Sequence, residues 1–162
     1  SLNASYTSEN SQLFVNNQFS KIKTTNKSIS LNIDYRINDN IYIVYQTNLN
    51  DIKNNLDTNI SFKSTQFNNE ITLNWQFLEK HFLQFNALQT SNKISDTKNN
   101  HFLSNILYRY KIKKYNIDLD AQIFNLLNTK EFTTNIVDNY SYQSNFYRLR
   151  PRQLLLTIRF SL

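Results

Sequence analysis

Apolar positions recur every second residue along most of this chain, the period of a β-strand with two unlike faces. The carboxyl end is the clearest case. Leu154, Leu156, Ile158, Phe160 and Leu162 share one face, and Gln153, Leu155, Thr157, Arg159 and Ser161 share the other. An amphipathic helix does not separate them so cleanly. The same alternation predicts strands at 29–37 (Ile29, Leu31, Ile33, Tyr35, Ile37), 41–49 (Ile41, Ile43, Tyr45, Leu49), 69–77 (Ile71, Leu73, Trp75, Phe77) and 115–123 (Tyr115, Ile117, Leu119, Ala121, Ile123). Less pure versions lie at 82–90 and 102–112, and a poorer first strand runs through Leu2, Ala4 and Tyr6. Eight strands result, each near the roughly 9–11 residues that a membrane-crossing strand needs.

The connections predict how these strands are joined. Asn38–Asn40, Glu79–His81 and Lys113–Lys114 read as tight turns, while residues 8–26, 50–68, 91–100 and 127–150 read as long connections. Short and long alternate. Each tight turn keeps apolar opposite apolar, pairing Ile37 with Ile41, Phe77 with Leu83, Trp75 with Phe85, and Ile112 with Tyr115.

An antiparallel up-and-down sheet of this kind suits a soluble sandwich, a lipocalin-like barrel or an outer-membrane barrel. Two features favour the membrane. The apolar faces carry aromatic residues near the tight turns, Tyr35, Trp75, Phe77, Tyr108, Tyr110 and Tyr115, as an aromatic girdle would. The opposite faces are rich in Asn, Gln, Asp and Arg, as a polar lumen would be. Tight turns would then be periplasmic, long connections extracellular and the C-terminus periplasmic.

Composition removes other readings. The 162 residues contain no Gly, Cys or Met and a single Pro. Gly-rich phosphate loops, dinucleotide fingerprints and nucleophile elbows are excluded, as are disulfides and thiolate metal sites. The missing Met predicts a processed product or a piece of something longer. The 27 Asn agree with AT-rich coding, which weakens any functional meaning of a single Asn. Ten Tyr and twelve Phe are too many for a disordered tail. The net charge of +6 permits nucleic acid or an anionic surface, but the basic residues are scattered apart from Arg148, Arg150 and Arg152. No stretch is long and apolar enough for a transmembrane helix, and residues 1–10 lack the features of a secretion signal.

Asn125-Leu126-Leu127-Asn128-Thr129-Lys130-Glu131-Phe132 resembles a segment of TonB-dependent receptors at the upper end of their penultimate strand. Tyr147-Arg148-Leu149-Arg150-Pro151-Arg152-Gln153, leading into Leu154–Leu162, resembles the terminal strand of receptor-like outer-membrane barrels from Bacteroidetes. Ile158, Phe160 and Leu162 are similar to the terminal signal read by the barrel-assembly machinery, although Leu162 stands where an aromatic residue is common. The specific resemblance covers residues 100–162. It implies a 22-stranded barrel with an internal plug that engages TonB; this chain has room for eight strands and no plug domain. Residues 1–162 are thus expected to be one barrel region. It is either the C-terminal portion of a transporter or a self-closed eight-stranded barrel serving as a scaffold or partner-binding subunit. Expected partners are outer-membrane lipid, the assembly machinery, and the rest of the receptor or other outer-membrane subunits. TonB would act only through the absent plug, and no nucleic acid partner is expected. A soluble basic β-domain binding nucleic acid or carbohydrate is the third reading.

Candidate chemistry is sparse, and neither an enzyme nor a cofactor is expected. His81, in a turn, and His101, at a strand end, should lie at opposite faces of the membrane, so no metal pair follows. Asp118 and Asp120 share a strand face and are expected to pair with Arg109, Lys111 or Arg159. Arg148, Arg150 and Arg152, placed on one face by alternation, offer an anion contact or a solvated rim. Tyr140, Tyr142, Phe146 and Tyr147 form an aromatic loop suited to stacking on a sugar or a partner, or to folding on itself.

Overall fold

A computed structural model describes residues 1–15, 18–56, 61–94, 97–137 and 142–160. The chain is all-β. Eight strands form one antiparallel sheet: β1 (Leu2–Val15), β2 (Gln18–Asn38), β3 (Ile41–Leu56), β4 (Ser61–Phe77), β5 (His81–Ile94), β6 (Thr97–Ile112), β7 (Ile117–Phe124) and β10 (Gln153–Phe160). Each strand lies beside its predecessor, except that the separate hairpin β8 (Glu131–Val137) and β9 (Tyr142–Arg148) intervenes between β7 and β10. β1 pairs only with β2 and β10 only with β7, so among the described residues the sheet is open, not closed into a barrel.

All eight predicted strands exist, but several are far longer than alternation indicates. β2 has 21 residues, about 70 Å of extended chain at the usual rise. The expected long connections at 8–26, 50–68 and 91–100 are mostly sheet: β1 pairs with β2 as far as Val15–Gln18, β3 with β4 as far as Asn55–Ser61, and β5 with β6 as far as Ile94–Thr97. These extensions are rich in Asn, Ser, Thr and Lys, and their apolar residues, among them Phe14, Phe19, Ile22, Phe62 and Phe67, follow no sustained alternation, so no hydrophobic period marks them, yet the backbone ladder needs none. Polar cross-strand contacts support them, including Thr65 Oγ1 donating to Asp51 at 2.7 Å and the Lys63–Asp51 ion pair at 3.4 Å. The fourth connection, 127–150, contains the β8–β9 hairpin.

The tight turns keep their faces but shift in detail. Between β2 and β3, Tyr35–Ile43 follows the expected register, and a bulge at Arg36/Asn38 brings Asn38 opposite Ile41. The Asn38 side chain accepts the Asn40 and Ile41 N–H groups, each at 2.9 Å. At the next turn His81 belongs to β5: Phe77 faces His81 and Trp75 faces Leu83, a two-residue slip from expectation. Leu78 and Glu79 supply the positive φ there. At the third, Lys113–Tyr115 form a 3₁₀ turn closed by left-handed Asn116, so Ile112 pairs with Ile117 and Tyr115 leaves the strand.

Burial is inverted relative to a water-soluble domain. Among the described residues the buried apolar ones are Ile22 and Ala87, while Asn54, Thr90, Asn92, Ser104 and Asn125 are buried polar ones. Meanwhile Leu154, Leu156, Ile158 and Phe160 are 59–70% exposed. A hollow of about 310 Å³ bounded by Ser30, Asn32, Gln46, Asn48, Asn68, Glu70 and Leu88 spans the four adjacent strands β2–β5. A second, of about 230 Å³, lies among Thr72, Gln84, Asn86, Asn105 and Gln122. Both open on the polar face, which is therefore concave.

Candidate functional site

Two rows of side chains, one polar and one aromatic, cross the apolar face. The polar row is Thr47, Asn69 and Gln89, in register across β3, β4 and β5, with the apolar pair Leu49–Phe67 beyond it on the same face. Asn69 accepts from the Tyr45 hydroxyl at 3.1 Å and donates to Gln89 at 3.4 Å. The other row is aromatic.

At the aromatic row the predicted girdle residues divide. Trp75 and Phe77 lie 4.8 Å apart by ring centres, Phe77 stacks on His81 at 5.1 Å, and His81 meets Tyr110 at 4.9 Å and Tyr108 at 6.0 Å. His81 Nδ1 and the Tyr108 hydroxyl share a 2.6 Å hydrogen bond. Four girdle residues thus form one cluster across β4, β5 and β6. Its centre is His81, expected from sequence in a turn; the two-residue slip at 78–80 brings it into β5 opposite Phe77, on the face it shares with Leu83 and Phe85. Tyr35 lies apart on β2, opposite Ile43. Tyr115 is in the 3₁₀ turn, with the Lys114 ammonium 5.3 Å from its ring centre.

The concave face is laced by polar side chains. Asn86 donates to Glu70 at 2.8 Å and to Thr72 at 3.0 Å, and Gln84 donates to Asn74 at 2.8 Å. Asp120 accepts a two-pronged contact from Arg109, at 2.7 and 3.2 Å, and also pairs with Arg159. One carboxylate therefore ties β6, β7 and β10 together, and Arg109 lies over the Phe82 ring at 5.9 Å. Asp118 sits in register with Lys111 and Arg159. Among the described residues no group of three or more His, Asp or Glu is arranged to hold a metal.

The Asn125–Thr129 segment forms a clamp at the far end. Asn125 and Asn128 both take positive φ, which Asn tolerates better than most residues. The Asn125 side chain accepts the Thr129 N–H at 2.8 Å and donates to the Thr129 and Arg150 carbonyls at 2.8 and 2.9 Å. Its own N–H reaches Asn105 at 3.0 Å, and Asn128 accepts the Arg152 N–H at 3.0 Å. The exit of β7 is thereby tied to the approach to β10.

Arg148, Arg150 and Arg152 are exposed, but they do not share one strand face. Arg148 ends β9, opposite Glu131, while Arg150 and Arg152 lie in the link before β10. Pro151 lacks an N–H and interrupts the ladder, so strict alternation does not apply. Ile158 and Phe160 lie on the exposed apolar edge; Leu162 and Tyr140 fall outside the described residues, and Phe146 and Tyr147 are exposed on β9. Sequence reasoning also misses the role of His101. Its Nε2 accepts the Thr133 N–H at 3.0 Å and its ring packs 4.9 Å from Phe132, holding β8 against β6.

Around the tight turns, Lys113 reaches Glu79 at 2.8 Å. This hydrogen bond, with the attraction of the same ammonium, holds the Glu79 carboxyl below its ordinary pKa. Comparisons with protein-family models, curated proteins and solved structures give no match.

Proposed function

We propose that this chain is a wall segment of an outer-membrane β-barrel, the C-terminal portion of a TonB-dependent transporter. The observation that carries the reading is the inverted burial: most of the sheet's large exposed apolar residues stand on one face, and hydrogen-bonded polar residues predominate on the concave other. In lipid that arrangement satisfies both faces, since acyl chains cover the first and water or cargo wets the second. The free edges of β1 and β10 suit continuation into further strands, because unpaired backbone groups are not tolerated in hydrocarbon. The concave face and the β8–β9 hairpin then contribute to a substrate route. The Asn125 clamp sets the terminal strand in register.

A second reading, the self-closed eight-stranded barrel, has one observation in its favour. Both edge strands carry apolar residues at alternate positions, Leu2, Ala4 and Tyr6 against Leu154, Leu156, Ile158 and Phe160, so a β1–β10 ladder could preserve a single lipid-facing surface.

Expression in an outer-membrane host tests both. Membrane retention through carbonate extraction, with folded protein recovered only in detergent, is expected. A monodisperse folded monomer in detergent-free buffer would overturn both readings. Heat-modifiable migration of the chain alone at about its 19.3 kDa mass would select the closed barrel over the transporter segment.

A further inference from the structure

We propose that the tight-turn end of β4–β7 binds the headgroup of an anionic phospholipid, seated between the aromatic cluster and the lysines of two adjoining turns. This rests on the membrane reading above and names a lipid for that same surface. The turns 78–80 and 113–116 lie side by side, because the Lys111 N–H donates to the Lys80 carbonyl at 2.8 Å and Lys113 reaches Glu79. Together they carry Lys80, Lys113 and Lys114 against the single acid Glu79. Lys113 is committed to Glu79. Lys80 and Lys114 form no ion pair among the described residues, and Lys114 rests against the Tyr115 ring.

Immediately along the strands stands the cluster of Trp75, Phe77, His81 and Tyr110. Aromatic rings of this kind settle at headgroup depth, and neighbouring lysines extend their ammonium groups to the phosphate plane. Beyond them, Leu83, Phe85 and Ile106 continue the same face and would meet the acyl chains. The β2–β3 turn at the same end lacks lysine and carries Asp39. The positive surplus is therefore confined to β4–β7. A phosphodiester with net negative charge fits it better than a zwitterionic headgroup, whose own cation the lysines repel.

Trp75 is the sole tryptophan and lies about 10 Å along the strand from the lysine-bearing turn, so its fluorescence reports the lipid bound there. The protein is reconstituted in phosphatidylcholine bilayers containing brominated phosphatidylglycerol or brominated phosphatidylcholine. Brominated phosphatidylglycerol is expected to quench Trp75 with a relative binding constant of about three or more, given the attraction per lysine near a phosphate plane. Lys80→Gln with Lys114→Gln should bring that ratio to about one, with quenching by brominated phosphatidylcholine unchanged as proof of insertion. Glu79→Gln releases Lys113 and should raise the ratio. Equal quenching by both lipids in the unaltered protein, or a ratio indifferent to these substitutions, overturns the site and leaves the membrane reading standing. Absence of quenching by either lipid overturns the membrane reading itself.

Discussion

Asn125 concentrates more structure than any other single side chain of the chain's far end: it is buried, left-handed, and its amide serves Thr129 twice and Arg150 once. Asn125→Ala removes three hydrogen bonds and places a poorer residue at positive φ. The expected loss is about 3 kcal/mol, at about 1 kcal/mol for each bond less any water replacement. The midpoint of urea unfolding in detergent micelles measures it, and a shift no larger than that of Asn128→Ala would contradict the clamp. Leu78 makes the opposite case. It holds positive φ while exposed, a conformation that costs a branched residue about 1 kcal/mol over glycine. Leu78→Gly should therefore stabilise the same transition by about that amount. Neither role is legible in the sequence. The abundance of Asn hides the few that bind backbone, and nothing in a lone Leu announces a left-handed turn.

At the scale of elements, strands are legible where the two faces differ and illegible where they do not. Leu154–Phe160 and Ile71–Phe77 announce themselves by alternation, whereas the outer halves of β1–β4, where apolar residues such as Phe14, Phe19, Ile22 and Phe62 fall at irregular spacing among Asn, Ser and Thr, read as loop although they carry full ladders. Turn chemistry accounts for the remaining differences: αL residues at 78, 79 and 116 lengthen or slide the turns without exchanging faces. The expected pairing of Asp120 with Arg109 and Arg159 does form, and it gives β10 side-chain ties beyond its single ladder. Asp120→Asn should raise amide exchange of Leu154–Phe160 about tenfold or more relative to β3 and β4, from the loss of charge-assisted bonds. Equal exchange in both proteins would confine β10's attachment to its backbone. The Glu79–Lys113 pair carries a pH signature. Because the folded carboxyl titrates below its usual range, its contribution is present above the ordinary glutamate pKa and is lost as pH falls through the lowered value. Protection of the Lys111 amide should fall over that window, and Glu79→Gln should flatten the dependence at every pH.

For the whole molecule the question is which solvent each face was built for, and charge placement can answer it. Leu73 sits mid-band on β4, between Ile71 and Trp75 and opposite Ile43 and Phe85, while Thr72, one residue away, points to the concave polar face. If lipid covers the first face, Leu73→Arg places a cation near the bilayer midplane at a cost of about 2–4 kcal/mol. Thr72→Arg adds a cation where Glu70 and water already receive charge, and should cost under about 1 kcal/mol. In water the order reverses in kind, because an exposed apolar sheet gains solubility from Leu73→Arg. Folding midpoints of both variants in phospholipid vesicles, compared with the parent, separate the two cases. A large loss for Leu73→Arg with Thr72→Arg near the parent supports a lipid-facing wall. Equal effects, or a gain in detergent-free solubility with retained sheet content for Leu73→Arg, would instead identify a sheet whose apolar face is covered by protein.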